Sequence, residues 1–254
     1  MKRRITRSFV PNLLTIANLF SGFAAIVYTS NGEFEKAAVF ILLGAFFDMM
    51  DGVMARLIGA SSEFGGELDS LCDVVTFGIA PSYLLYQVYF INFSEAGIFF
   101  ASIPAIMGAL RLARFNVQLS SFEDKKYFTG FPIPSSAITI AAYLIYFHLN
   151  PDFNESYKAP LAFIVTFLCS LAMVSNIRFR NMPRPSFANI KQKPIFYLYL
   201  IASVFAIIYT KGWFLFPFMM IYLLSSTIIH IIKLLRSDLL ENTLEEFSET
   251  DYID

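Results

Sequence analysis

Asp48-Met-Met-Asp51-Gly52-Val-Met-Ala55-Arg56, then eight residues, then Gly65-Gly-Glu-Leu-Asp69-Ser-Leu-Cys-Asp73, sets four aspartates in the most apolar company a sequence can offer. The runs that contain them, 37–57 and 67–90, have the roughly 17–25 residues a helix needs to cross ~30 Å of hydrocarbon. A carboxylate inside such a span costs about 2.5–3.5 kcal/mol near its centre, so each one requires a partner or a purpose. Asp48 and Asp51 are spaced i, i+3 and Asp69 and Asp73 i, i+4, so each pair shares a helix face. Antiparallel neighbours joined by the short loop 58–66 would turn those faces toward each other, with Arg56 the only base in the local sequence. Four carboxylates in one cavity call for hard cations. Two divalent ions would neutralise them, and oxygen-only ligation favours Mg²⁺, Mn²⁺ or Ca²⁺ over zinc.

The rest of the chain supports a membrane setting. Of 254 residues 56% are hydrophobic and 15% charged, with 29 Phe against 12 Gly; a soluble domain has about 45–50% and ~25%. The abundant aromatics, scarce glycine and two cysteines, Cys72 and Cys169, exclude a disordered chain, a collagen and a disulfide scaffold. A net charge of −1 offers no footprint for nucleic acid. Apolar runs near 12–30, 37–57, 67–90, 96–115, 131–149, 159–177, 195–210 and 213–232 predict an all-α, polytopic membrane helix bundle of about eight transmembrane helices. Segment 1–11, with Lys2, Arg3, Arg4 and Arg7, reads as a retained interfacial arm meeting anionic membrane lipids. With the N-terminus inside, 16 of the 19 Lys and Arg fall on the cytoplasmic side and only Lys36, Lys158 and Lys211 outside, which predicts N-in and C-in. Residues 1–236 form one membrane domain; 237–254, acidic from Asp238 onward, are expected to be a solvated, loosely ordered cytoplasmic tail.

The aspartate stretch resembles the signature of the CDP-alcohol phosphatidyltransferase family, DxxDGxxARx(7–8)GxxxDxxxD, at every defined position. Further segments are similar to the phosphatidylserine synthase branch: Pro11-Asn12-Leu-Leu-Thr15-Ile-Ala-Asn18-Leu-Phe-Ser-Gly22, Asp73-Val-Val-Thr76-Phe-Gly78-Ile-Ala-Pro81, Arg111-Leu-Ala-Arg114-Phe-Asn116 and Phe128-Thr-Gly130-Phe-Pro132-Ile-Pro134. The resemblance implies metal-dependent transfer of a phosphatidyl group from CDP-diacylglycerol to the hydroxyl of L-serine with release of CMP. It also implies a homodimer, in a bacterial cytoplasmic membrane, with the active site facing the cytoplasm.

On the same resemblance Asp48, Asp51 and Asp69 hold the metals, and Asp73 is both ligand and general base. Gly52, Ala55 and Gly65 match positions that face the cytidine, where helix packing is the rival explanation. Arg56 would contact the diphosphate or snorkel to the interface. Thr15 and Asn18 would turn polar groups toward the nucleotide from the first span, with helix capping the rival for Thr15. Arg111 and Arg114, i, i+3 at the inner end of the fourth span, would bind the serine carboxylate or a phosphate, or merely anchor the span. Asn116, Lys125 and Lys126 are weaker candidates. His148 and His230 lack a ligand-like partner, Met49, Met50 and Met54 read as packing residues, and Trp213 marks an interface belt. Two alternatives stay open: the same chemistry on glycerol 3-phosphate or an inositol phosphate, which would need a denser basic pocket, and a cation-coupled transporter.

Overall fold

In hydrocarbon a chain must satisfy its own backbone N–H and C=O groups, so long apolar runs become helices. They do so in the computed structural model, which describes residues 2–59, 62–119, 127–180, 202–203 and 205–250. The elements that build the bundle are α1 (Lys2–Ser30), α2 (Phe34–Ile58), α3 (Glu63–Asp73), α4 (Ala80–Val88), α5 (Ser94–Leu119), α6 (Ile133–Tyr143), α7 (Glu155–Val174) and α8 (Leu215–Thr250). A π-helical stretch, Val74–Ile79, joins α3 to α4 as one continuous span, and a second, Leu144–His148, extends α6.

Among the described residues six segments are long and apolar enough to cross a membrane: Phe9–Ser30, Phe34–Ile58, Glu63–Val88, Phe90–Val117, Glu155–Val174 and Leu215–Lys233. The fifth expected span is the shorter apolar helix Ile133–His148. Half of the seventh, 195–210, lies outside the described residues. The expected interfacial arm is helical and continuous with α1, which runs from Lys2 straight through Pro11, while the apolar span begins at Phe9. One further expectation is corrected. The acidic tail is not loose: α8 runs on to Thr250, as the strong helix formers Leu239, Leu240, Glu241, Leu244, Glu245 and Glu246 favour.

The bundle is also not wholly helical. Strand β1 (Tyr127–Thr129) pairs antiparallel with β2 (Arg178–Arg180), Phe128 opposite Phe179. Phe179 is buried against Phe131 and Tyr222, with ring centroids 5.3 and 6.0 Å apart, which anchors the pair on α8. Gly130 makes the close turn beside it at φ +85°; a Cβ there would overlap the Met173 carbonyl oxygen and lie 2.9 Å from Arg114 Nη2. Gly130→Ala is therefore expected to destabilise by about 2–3 kcal/mol, read as thermal unfolding in detergent. Gly32→Ala, at φ +78° but with nothing within 4 Å, should cost only about 1 kcal/mol.

Away from the aspartates, Tyr89, Phe90, Phe93, Phe100 and Phe163 form an edge-to-face cluster tying α4 and α5 to α7. Tyr143 Oη donates to the Lys158 carbonyl at 2.6 Å and lies 3.0 Å from His148 Nδ1, and Lys158 pairs with Glu155 at 2.6 Å. His148 is thus part of a polar pin between α6 and α7. Nearer the aspartates, α1, α2 and the first π-helical stretch close on wholly buried Thr76, whose neighbours Gly22 and Gly44 let the helices touch.

A carboxylate-lined candidate active site between the first three helices

α2 ends at Gly59, whose left-handed φ of +64° turns the chain out of the helix. Ser62 restarts it as the N-cap of α3, its Oγ accepting from the Gly65 amide at 3.0 Å. This short return lays the Asp69–Asp73 face of α3 against the Asp48–Asp51 face of α2. One oxygen from each of Asp48, Asp51 and Asp69 lies within 4.8 Å of the other two. Asp73 stands next to this group, one turn along α3 from Asp69, and is 6% exposed.

α1 supplies the hydrogen-bond donors. Thr15 Oγ1 donates to Asp51 Oδ2 at 2.8 Å, and Asn18 Nδ2 donates to Asp73 Oδ1 at 3.2 Å. Thr15 lies far inside α1, so it caps nothing; it holds a carboxylate. Asp69 Oδ1 is buried without a partner. No described Lys or Arg makes an ion pair with any of the four aspartates. Such a set of clustered carboxylates, one oxygen orphaned, lacks only positive charge, and its all-oxygen chemistry fits a hard divalent cation.

Beside the carboxylates a cavity of about 190 Å³ opens between the three helices. Pro11, Asn12 and Thr15 form its α1 wall, and Asp51, Gly52 and Ala55 its α2 wall. Ser62, Gly65, Gly66 and Asp69 complete it from α3. Small residues make the room: a Cβ on Gly65 would lie 3.1 Å from Ser62 Oγ and 3.5 Å from Asn12 Oδ1, closing the space between α3 and α1. Arg56 folds back along α2, Nε donating to the Gly52 carbonyl at 2.7 Å, which sets its guanidinium at the exposed rim.

The residues predicted near the inner end of the fourth span separate. Arg111 is 7% exposed, interacts electrostatically with Asp73, and leaves its Nε without a hydrogen-bond partner. Arg114 points elsewhere: its guanidinium donates to the carbonyls of Val174 (2.9 Å), Ser175 (3.3 Å), Met173 (3.4 Å) and Thr129 (3.4 Å), capping α7 and holding β1. Asn116 Nδ2 donates to Ser70 Oγ at 3.1 Å, joining α5 to α3 one residue past Asp69. Lys125 and Lys126 lie outside the described residues. Asn12, Ser62 and Ser70 were not singled out as site residues from the sequence. Ser62 did carry a signal, an N-cap serine directly before the motif's glycines; the other two depend on helix rotation.

Residues 8–175, which carry all four aspartates, the cavity walls and Arg111, match the family model described as CDP-alcohol phosphatidyltransferase. The chain belongs to the CDP-alcohol phosphatidyltransferase family. This family is metal-dependent, and the Asp48–Asp51–Asp69 group is where the chain can hold a metal. Among similar family members is the CDP-diacylglycerol–serine O-phosphatidyltransferase of Helicobacter pylori, 37% identical over 68% of this chain and 73% of its own length. The Bacillus subtilis protein of the same name is 35% identical over 72% of this chain and 97% of its own. The archaetidylserine synthase of Methanothermobacter thermautotrophicus is 35% identical over 70% and 72%.

Proposed function

We propose that this family member transfers a phosphatidyl group from CDP-diacylglycerol to the hydroxyl of L-serine, giving phosphatidylserine and CMP. The observation that carries the reading is the carboxylate cluster opening on a small-residue cavity, with a buried, partly unpartnered arginine within electrostatic reach of Asp73. The names of the relatives support the acceptor: their lipid half varies, whereas serine recurs. An acceptor bearing a phosphate would ask for a denser set of cations. Among the described residues Arg114 is engaged by four backbone carbonyls, which leaves Arg111 for the singly charged carboxylate of serine.

In this reading Gly52, Ala55 and Gly65 admit the cytidine, with Asn12, Thr15 and Ser62 as its polar neighbours. Arg56 meets the diphosphate at the rim. Asp48, Asp51, Asp69 and Asp73 would hold two divalent cations, Mg²⁺ or Mn²⁺. Bound there, the ions supply charge neutralisation for the diphosphate and the leaving CMP. Arg111 receives the serine carboxylate. Asp73 accepts the hydroxyl proton as the serine oxygen forms its bond to the β-phosphorus and the bond from that phosphorus to the CMP oxygen breaks. Thr15 and Asn18 each engage one oxygen of a carboxylate and leave the other free for this work.

The deciding experiment follows CMP release by the purified protein in detergent with CDP-diacylglycerol and Mg²⁺ or Mn²⁺. Release with serine, abolished by chelation, is the expected result. Release only with glycerol 3-phosphate or an inositol phosphate would replace the acceptor, and ion flux without CMP release would replace the chemistry with transport.

The Lys and Arg distribution supports N-in, C-in insertion with the aspartates toward the cytoplasm. A cysteine introduced at exposed Asp152 should react with a membrane-impermeant maleimide on intact cells, and one at exposed Glu63 only after lysis. The opposite pattern would invert the topology.

A further inference from the structure

We propose that Thr76 is a positioning residue for the transfer: its hydroxyl, bonded to the Asn18 carbonyl, sets where Asn18 holds Asp73. The inference rests on Asp73 being the base. Two hydrogen bonds run in series. Thr76 Oγ1 donates to the Asn18 carbonyl oxygen at 3.0 Å, and Asn18 Nδ2 donates to Asp73 Oδ1 at 3.2 Å. Asn18 and Thr76 are wholly buried, so water cannot stand in for either partner.

The seat of Thr76 is built from both sides. On α1, a Cβ at Gly22 would lie 2.7 Å from Thr76 Cα and overlap its hydroxyl, so the absence of that side chain is what lets the hydroxyl reach α1. On α2, a Cβ at Gly44 would lie 2.5 Å from Thr76 Cγ2 and 3.1 Å from Asn18 Oδ1. Hydroxyl and methyl are therefore each matched to a glycine of a different helix, and one residue joins three elements. The π-helical stretch begins at Val74, directly after Asp73. Its wider turn changes the direction of the residues that follow, which is how such insertions serve functional sites.

Asn18 gains no orientation from its own oxygen. Oδ1 is buried, unpartnered and walled by Gly44. What remains to fix the carboxamide is its bond to Asp73 and the placement of its backbone, and Thr76 grips that backbone. Asp73 then keeps one oxygen tied and the other free to take the serine proton. A displacement of well under 1 Å at this point lowers the rate of the chemical step more than it weakens substrate binding.

The test is steady-state CMP release by full-length variants in detergent. Thr76→Val keeps the bulk between Gly22 and Gly44 but has no hydroxyl; Thr76→Ala lacks the hydroxyl and is smaller, so at least one should fold. Both are expected to lose about tenfold in kcat, with KM for serine and for CDP-diacylglycerol unchanged within about twofold. Thr76→Ser, which retains the donor, should keep kcat. Unchanged kcat in the hydroxyl-free variants would overturn the inference, as would a loss in Thr76→Ser equal to theirs, since packing alone would then explain the site. The underlying assignment fails separately: an active Asp73→Asn sinks the base, whereas unaffected Thr76 variants beside an inactive Asp73→Asn sink only the role of Thr76.

Discussion

Asp73→Asn is expected to release CMP about 10³-fold more slowly than the parent protein at saturating serine, while unfolding at nearly the same temperature. The two halves of this result have separate physical causes. The carboxamide has the volume of the carboxylate, and with its oxygen toward Asn18 Nδ2 it retains the one hydrogen bond that Asp73 makes to α1. Removing a negative charge from a cluster of four also relieves repulsion, so folding should not suffer. What disappears is the lone pair that takes the serine proton, together with one ligand charge. Asp51→Asn separates these two losses. It too keeps its bond from Thr15, but it gives up ligand charge alone, so its rate should recover as Mn²⁺ is raised. Full recovery of Asp73→Asn at high Mn²⁺ would show that Asp73 contributes charge and not basicity.

The contrast between these residues reflects what a sequence can and cannot disclose. Charges inside long apolar runs are conspicuous because hydrocarbon penalises them, and i, i+3 and i, i+4 spacings assign them to faces without any knowledge of the fold. The meeting of α2 with α3 follows from a loop too short to permit anything else. Thr15 and Asn18 were visible as polar residues of the first span, yet their contacts lie 36 and 55 residues away. No spacing rule reaches that far, so the nucleotide was as plausible a target as a carboxylate. Arg114 shows the same limit. Next to Arg111 on one helix it looks like half of a binding pair, and only the place where α7 ends, with β1 beside it, reveals four carbonyls waiting for it. The β1–β2 pair has two strands of three residues each, far apart in the chain, too short for alternation to register. For the tail, abundant charge suggested disorder, but its leucines and glutamates are helix formers attached to a helix already nucleated in the membrane.

Arg111→Ala is expected to raise KM for serine by about 30-fold, the loss of a charge-assisted hydrogen bond in a buried site, with KM for CDP-diacylglycerol nearly unchanged. Burial alone makes the substitution hazardous to read, because a cavity beside Asp73 could disturb catalysis without any contact to serine. Serinamide separates the explanations. It offers the same hydroxyl and ammonium but no carboxylate, so the parent protein should use it poorly, and Arg111→Ala should use serine and serinamide about equally. The guanidinium and the carboxylate then form a cycle whose two single losses are not additive. Arg111→Lys should lie between, keeping the charge but not the planar fork that a carboxylate matches. If Arg111→Ala instead weakens serine and serinamide by the same factor, Arg111 acts on Asp73 and the serine carboxylate is held elsewhere. Arg111 would then belong with Asn18 as a residue that orders the base, and another cation would have to receive the serine carboxylate.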